Sequence, residues 1–289
     1  MTAVRLATRI SPLALWQARH VATLLRRAHP GLAVTLVPVI SSGDTDRSKP
    51  LYASDSVGMF VKEVQDALVS GRADAGVHSC KDLPTTHPEG LTLAAILRRA
   101  DPRDALIGGD LATLPRGALV GTSSLRRQHQ LAALRPDLRF ASIRGNVDTR
   151  LRKVAAGDYA ATLLAMAGLT RLGLARVAGA RPLDPWTQCT PAPAQGAVAV
   201  DCRTSDTRTR RLLAAIEHRQ TRLAIDAERA VLAGLAGGCS LPLGCYAVRL
   251  ADGRWHMRAR LARGGGALSE VDATGPHAGL ADRVLAGLR

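Results

Sequence analysis

The stretch Leu119–Ala165 reads LVGTSSLRRQHQLAALRPDLRFASIRGNVDTRLRKVAAGDYAATLLA. An apolar strand, Leu119–Gly121, is followed by Thr122, Ser123 and Ser124, small hydroxyl residues suited to cap a helix that runs through Leu134. Leu138–Ile143 is a second strand, Gly145-Asn146 a turn, Val147–Ala156 a second helix and Tyr159–Ala165 a third strand. Strands that alternate with helices imply an open, mostly parallel sheet with helices on both faces, an α/β fold.

The same alternation extends outward. Val4–Ala7 is a short strand, and Ser11-Pro12 opens a helix with Ser at the cap and Pro in the first turn. Leu13, Trp16, Val21, Leu24 and Leu25 mark the apolar face of that helix, which Pro30-Gly31 ends. Val34–Ile40 is a strand, Ser41–Asp55 a polar loop, Phe60–Val69 a helix and Asp74–His78 a strand that runs into the loop Ser79–Pro84. A second block starts near Asp101. After Tyr159–Ala165 the Pro-rich segment Thr190–Gly196 reads as a linker, Ala197–Asp201 as a strand, and Arg208–Glu217 and Leu223–Leu235 as helices. Tyr246–Leu250, Trp255–Leu261 and Ala278–Leu288 suggest a small α+β unit at the end.

Composition narrows the function. The 289 residues carry 39 Lys+Arg against 24 Asp+Glu, a net charge of +15, so the natural partner is an anion. Only 3 Trp, 3 Tyr and 2 Phe are present, which argues against a surface that stacks bases of single-stranded nucleic acid. No run of 18 apolar residues exists, and Arg5 and Arg9 interrupt the N-terminal segment, so neither a membrane helix nor a secretory signal is expected. The cysteines, Cys80, Cys189, Cys202, Cys239 and Cys245, form no C-x-x-C pair. An odd number without an export signal reads as reduced cytoplasmic thiols, and no metal site is expected.

Four clusters could carry chemistry. Thr122-Ser123-Ser124-Leu125-Arg126-Arg127 sets hydroxyls, free helix N–H groups and two guanidiniums at one helix start, an arrangement that favours carboxylate or phosphate. The alternative is a capped helix with solvated arginines. It is weakened because cations at a helix N-terminus are unfavourable without an anion. Ile143–Arg150 repeats the pattern, with Arg144 and Arg150 on either side of the Gly145-Asn146 turn, and Arg171 and Arg176 follow in sequence; a surface loop with ordinary helix arginines fits equally well. His78–Pro84 places Lys81 and Asp82 where an apolar strand ends, the usual place for a site, although an isolated Lys-Asp pair also suits a salt-bridged loop. His78 reads as a packing residue. Gly237-Gly238-Cys239-Ser240-Leu241-Pro242 sets a thiol on an accessible turn, as a nucleophile requires and as a free surface cysteine also permits.

Taken in order, these segments resemble the porphobilinogen deaminase (hydroxymethylbilane synthase) family. The likeness runs from Arg5 to about Tyr246. It includes Ala7–Ala14, Val77–Pro84, Asp101–Asp104, Gly121–Arg127, Arg144–Asn146, Ala167–Leu169, Pro193–Ala197 and Gly237–Cys239. The resemblance implies two periplasmic-binding-protein-like domains around a cleft plus a small α+β C-terminal domain. Domain 1 would comprise residues 1–100 and 196–216, domain 2 residues 101–195 and domain 3 residues 217–289. It further implies a monomeric cytoplasmic transferase of porphyrin and haem biosynthesis, with no nucleic-acid or membrane partner. Such an enzyme joins four porphobilinogen molecules head to tail, releases ammonia at each addition and forms the linear tetrapyrrole hydroxymethylbilane. One dipyrromethane, bound covalently, serves as primer.

The resemblance also distributes roles. Cys239 would form the thioether to the primer. Asp82 would contact pyrrole N–H groups and stabilise the cationic azafulvene left when ammonia departs. Lys81, Thr122, Ser123, Ser124, Arg126, Arg127, Arg144, Gly145 and Arg150 would bind the cofactor, chiefly through its carboxylates. Arg9, Ser11, Arg150, Arg171 and Gln195 would face substrate or the elongating chain, with Gln195 at the interdomain crossing. Many members carry Gly-Gly-Lys-Gly-Leu-Phe in a mobile loop; here the matching residues are Asp55–Phe60, with Val57 at the lysine position and Lys49 or Arg47 as substitutes. Two readings compete: a two-lobed anion-binding protein without catalysis, and a nucleic-acid binder driven by net charge.

Overall fold

The structure is a computed structural model that describes residues 3–40, 61–235, 241–263 and 266–289. The chain divides into two compact units, Met1–Ala100 with Ala197–Arg222, and Asp101–Gly196 with Leu223–Arg289. The elements of the first block are β1 (Ala3–Arg9), α1 (Pro12–Ala28), β2 (Ala33–Val39), α2 (Lys62–Val69), β3 (Ala75–Ser79) and β4 (Leu91–Ile96). The second block holds β5 (Asp104–Ile107), β6 (Leu119–Gly121), α3 (Leu125–Leu134), β7 (Arg139–Ala141), α4 (Val147–Ala155), β8 (Ala161–Ala165), α5 (Met166–Arg171) and β9 (Arg181–Pro182). There follow β10 (Val198–Arg203), α6 (Thr207–Ala214), α7 (Arg219–Gly234), β11 (Leu243–Arg249), β12 (Trp255–Ala262), β13 (Leu268–Gly275) and α8 (Leu280–Leu288).

In the first unit the sheet order is β2-β1-β3-β10-β4. β1 runs parallel to β2 and β3, and β10 runs antiparallel to both β3 and β4. Strands buried on both faces need apolar residues at nearly every position, and Leu6, Ala7, Ala75, Val77 and Val200 are all buried. Leu6, Ala75, Val77 and Val200 pack against Ala18, Val21 and Leu25 of α1, and Ala7 packs on the other face against Val64, Ala67 and Leu68 of α2. Helix α1 starts as its sequence predicts: the Ser11 hydroxyl accepts from the Ala14 N–H at 3.3 Å, and Pro12 occupies the first turn. Arg26 and Arg27 lie in its last turn, where cations suit the helix dipole.

The second unit contains a sheet of the same design, β7-β6-β8-β5-β9. β6 is parallel to β7 and β8, and β5 is antiparallel to β8 and β9. The same unit holds the antiparallel meander β11-β12-β13. Val231 of α7 and Leu280, Val284 and Leu288 of α8 pack with Met257 and Leu261 of that meander into a separate core. The fold is therefore mixed α/β: two sheet–helix assemblies and a small three-stranded C-terminal sheet.

Three expectations change. The Pro-rich stretch Thr190–Gly196 reads as a linker but is buried, with Thr190 and Gln195 at 0% exposure. Side chains replace the strand ladder that its prolines cannot make: the Thr190 N–H donates to Gln130 Oε1 at 2.7 Å and the Ala194 N–H to Glu228 Oε2 at 2.7 Å. β4, β5 and β13 are strands that the sequence pattern does not predict. β5 spans only four residues, and β13 alternates polar with apolar residues on a half-solvated meander. Finally, Ser124 stands at the N-cap of α3 without a side-chain cap bond; Thr122 Oγ1 instead accepts from the Ser124 N–H at 3.2 Å.

Candidate functional site

In the first unit the parallel strands β1 and β3 end at the same edge of the sheet, where chain-reversing segments carry the polar residues. Arg9 ends β1, and Ser11 follows it at the cap of α1. Ser79 ends β3, and the chain then makes a single 3-10 turn, Cys80–Asp82, whose first N–H donates to the Ala197 carbonyl at 3.0 Å. A concave pocket at this edge is lined by Arg9, Ser11, Gln17, His78, Ser79 and Asp82. Lys81 shares the turn with Asp82, and both side chains are half-buried.

Two features of this pocket were not foreseen. Gln17 is buried and its Nε2 donates to Ser79 Oγ at 3.0 Å, which fixes a hydroxyl and an amide beside Asp82. His78 does more than pack. Its Nε2 lies 2.9 Å from Asp201 Oδ1, and Gln65 Nε2 donates to Asp201 Oδ2 at 3.1 Å. Burial would raise the Asp201 pKa, but His78 and Gln65 outweigh it and hold the carboxyl below its usual range. Gly76 makes room for the pair: a Cβ there would stand 2.4 Å from Asp201 Oδ1 and 2.9 Å from His78 Nε2. An alternating strand pattern cannot reveal this, because Gly76 and Asp201 become neighbours only through the β3–β10 register.

The second unit repeats the arrangement with guanidiniums. Arg126 and Arg127 follow β6, Arg144 and Arg150 follow β7, and Arg171 follows β8. These three strands are mutually parallel, so all five arginines are delivered to one edge of one sheet. Gly145 makes the turn between β7 and α4 at φ +109°, and a Cβ there would meet Thr149 Cγ2 at 2.6 Å. Asn146 then caps α4, its Oδ1 accepting from the Thr149 N–H at 3.0 Å. Ser123 Oγ lies 2.8 Å from both Ser142 Oγ and the Ile143 carbonyl, tying the loop after β6 to the loop after β7.

Arg126 and Arg127 are not solvated forks. Both are buried against Asp104, which is 0% exposed. Asp104 Oδ2 accepts from Arg126 NH1 at 2.7 Å; Oδ1 accepts from Arg127 NH2 at 2.7 Å and Nε at 3.0 Å, and from Gln195 Nε2 at 2.9 Å. Arg127 NH1 donates to the Leu163 carbonyl, so all three of its nitrogens are engaged, whereas Arg126 commits NH1 to Asp104 and to the Thr190 carbonyl. Burial would raise the Asp104 pKa, but the two guanidiniums reverse this and hold it far below the carboxylate range. The anion that the helix start demands is thus supplied in part from within the chain. One carboxylate for two guanidiniums still leaves a positive charge.

That charge is felt nearby. Arg150 donates Nε to the Gly145 carbonyl at 2.9 Å. Burial, and then repulsion from Arg127, lower its pKa from 12.5 to about 10. Arg171 donates NH2 to the Gly196 carbonyl at 2.7 Å, and burial lowers its pKa to about 10 as well. Cations held this way favour an incoming anion. The residues of this edge therefore fit a ligand with several carboxylates.

The sequence-predicted residues fall into two groups. Asp82, Lys81, Arg9 and Ser11 lie at the sheet edge of the first unit; Thr122, Ser123, Ser124, Arg126, Arg127, Arg144, Gly145, Arg150, Arg171 and Gln195 lie in the second. Cys239, the loop residues 41–60 with Arg47, Lys49 and Val57, and the Gly-Gly pair before Cys239 lie outside the described residues. Among the described residues, no helix is long and apolar enough to cross a membrane.

The two units define a mixed α/β protein whose second unit carries a guanidinium-rich sheet edge. Residues 4–211 match the family model of the porphobilinogen deaminase dipyromethane cofactor binding domain, and residues 222–279 match that of the porphobilinogen deaminase C-terminal domain. The chain belongs to the porphobilinogen deaminase family, and its cofactor is the dipyrromethane that the matched domain binds. Among solved structures it is similar to the Bordetella pertussis BvgS VFT2 domain (16% identity over 74% of this chain and 86% of that one, TM-score 0.44). It is similar too to the BenM effector binding domain with its effector benzoate (14%, 74% and 90%, TM-score 0.42). A third is YhfZ from Shigella flexneri (18%, 79% and 96%, TM-score 0.39).

Proposed function

We propose that the protein is a transferase that condenses four porphobilinogen molecules head to tail, with loss of ammonia, into hydroxymethylbilane on a dipyrromethane held by a thioether at Cys239. The observation that carries this reading is the charge imbalance in the second unit. Five arginines converge on one sheet edge, and burial and like-charge repulsion depress the pKa of Arg150. Each pyrrole brings an acetate and a propionate, so a growing chain supplies the carboxylates that such an edge lacks.

When bound, the dipyrromethane supplies the free pyrrole α-carbon to which the first unit is added. The chain's own residues bind, orient and stabilise. Lys81, Ser124, Arg126, Arg127, Arg144 and Arg150 hold primer carboxylates, with Thr122, Ser123 and Gly145 shaping the two loops. Arg9, Ser11, Arg150, Arg171 and Gln195 serve substrate and the lengthening chain. Asp82 accepts from pyrrole N–H groups. As the aminomethyl C–N bond breaks and the electron pair leaves with ammonia, its carboxylate stabilises the cation that develops. The α-carbon that the primer supplies would be the nucleophile toward that cation, and the proton it gives up on forming the carbon–carbon bond would be balanced by the ammonia released. Gln17 and Ser79, hydrogen-bonded to each other beside Asp82, supply neutral donors and acceptors at the same place.

The resemblance supports three domains, at residues 1–100 with 196–216, 101–195 and 217–289, and each of the three sheets falls within one of them. The four described cysteines are buried and unbridged, which supports a reducing, cytoplasmic setting, and the resemblance supports a monomer.

The intact mass of the purified chain tests the proposal. It is expected to exceed the sequence mass by two linked pyrrole units, and the protein should colour with a reagent for α-free pyrroles. Cys239→Ser should lose both signals, while Cys80→Ser, Cys189→Ser, Cys202→Ser and Cys245→Ser keep them. An active wild-type protein with the bare sequence mass would overturn it.

A further inference from the structure

Asp104 has no place in the roles assigned so far, yet it is the most heavily engaged side chain at the guanidinium edge. Its two oxygens take four charged or amide donors within 3.0 Å, from Arg126, Arg127 and Gln195, and the Cys189 thiol lies 3.4 Å away. It is fully buried, so no part of it can reach a ligand. β5 brings it there: that strand is antiparallel to β8, whose carboxyl end also delivers Arg171, and Asp104 pairs in register with Ala165. A single carboxylate therefore links α3, which carries both arginines, to the buried segment Thr190–Gly196 through Gln195. Arg126 NH1 reinforces the link by also donating to the Thr190 carbonyl.

We propose that Asp104 is the positioning residue of the carboxylate site: it fixes Arg126 and Arg127 as one rigid pair and ties Gln195 to them. This rests on the reading of the edge as the seat of the primer carboxylates. The physical argument concerns orientation against charge. As a negative group, Asp104 lowers the positive potential of the edge, and by Coulomb attraction alone its removal should strengthen anion binding. As an anchor, it holds two long side chains that would otherwise cost rotamer entropy when a ligand orders them, so its removal should weaken binding. The geometry favours the anchor. Arg127 has every nitrogen engaged and cannot turn, and Arg126 is held by NH1 alone, so its remaining nitrogens point from a fixed stem.

The two effects have opposite signs in one pair of variants. Arg127→Gln leaves Asp104 paired with Arg126. Adding Asp104→Asn raises the net charge of the edge by one and removes the charged anchor of Arg126, leaving NH1 the Thr190 carbonyl and at most a neutral amide oxygen. The full chain is purified in each form; its loaded fraction is read from intact mass, and kcat and KM for porphobilinogen are measured. The double variant is expected to load less completely than Arg127→Gln and to show a KM at least about tenfold higher, the equivalent of about 1.4 kcal/mol. A double variant that loads as well as Arg127→Gln with an equal or lower KM overturns the proposal.

Asp104→Glu keeps the charge but displaces both arginines, and it covers the case in which the double variant does not fold. It is expected to fold, with a melting temperature lower by a few degrees because a methylene is added at a fully buried position, and to show the same rise in KM; wild-type KM and loading in this variant also overturn the proposal. If the wild-type chain carries no pyrrole units and does not consume porphobilinogen, the carboxylate-site reading itself fails, an outcome separate from any difference among the variants.

Discussion

Arg150 offers a test in which stability and function move in opposite directions. Its guanidinium is held at about 10 rather than 12.5, by burial and by Arg127. Because the folded-state value is the lower one, the unfolded chain holds the proton more tightly. The penalty is complete at any pH below about 10 and fades only above it. The difference between 12.5 and about 10 corresponds to at most about 3.4 kcal/mol, and water reaching a side chain that is only partly covered reduces this to roughly half. Arg150→Gln removes the penalty and also the Nε bond to the Gly145 carbonyl, which is worth about 1 kcal/mol. The net expectation is a gain of roughly 0.5–1 kcal/mol in the chain produced without porphobilinogen, or about 2 °C in melting temperature. The same variant should load primer poorly, because one charge-assisted contact to a carboxylate is lost. Differential scanning calorimetry and intact mass read the two effects. An unloaded Arg150→Gln protein that melts lower than unloaded wild type, or one that loads normally, would refute the reasoning.

Further expectations follow from individual contacts. Asp82→Asn keeps shape and removes charge, so steady-state kinetics should show kcat falling by about a hundredfold or more with KM little changed; a kcat near wild type removes Asp82 from its role. Gly145→Ala forces a Cβ against Thr149 at a positive φ, and denaturant titration should show a loss of about 1–3 kcal/mol together with reduced loading. Burial pushes the Cys189 thiol to about 12 and Cys202 to about 11, and Cys80 and Cys245 are likewise buried; none of the four should react with a thiol reagent at pH 8 before unfolding, as peptide mapping after labelling would show. Asp104 and Asp201 both have folded-state pKa values below the ordinary 3.8. Their contribution is complete above that value and is lost progressively as pH falls below it toward the lower folded-state values, so circular dichroism should show acid unfolding that sets in below about pH 4 and is blunted in Asp201→Asn.

Much of this was legible in the chain itself. Ser11-Pro12 announces the start of a helix, and the strand–cap–helix order of Leu119–Ala165 announces a parallel sheet, because caps and buried strands are written in local residue types. The clustering of Arg126, Arg127, Arg144 and Arg150 after strand ends likewise predicts where charge gathers, since a parallel sheet delivers every strand end to one edge. What stayed hidden depends on partners distant in sequence. Asp104 lies 22 residues from Arg126 and 91 from Gln195; Asp201 lies 123 from His78. No periodicity connects them.

The family resemblance implied two domains of one kind, but the antiparallel strand that their sheets share was not written in the residue pattern. In each, one strand reached by a chain crossing, β10 or β5, enters antiparallel beside a strand that ends in site residues. The Pro-rich stretch Thr190–Gly196 shows the same divide. Its composition forbids a strand or helix, which sequence reveals, but whether it is a solvated tether or a buried strut depends on Gln130, Glu228 and Asp104 meeting its polar groups. Local chemistry determined the elements and the sign of the charge. The tertiary structure decided which charges are neutralised from within and which are left for a ligand, because only close approach in a medium that excludes water makes one carboxylate count against two guanidiniums.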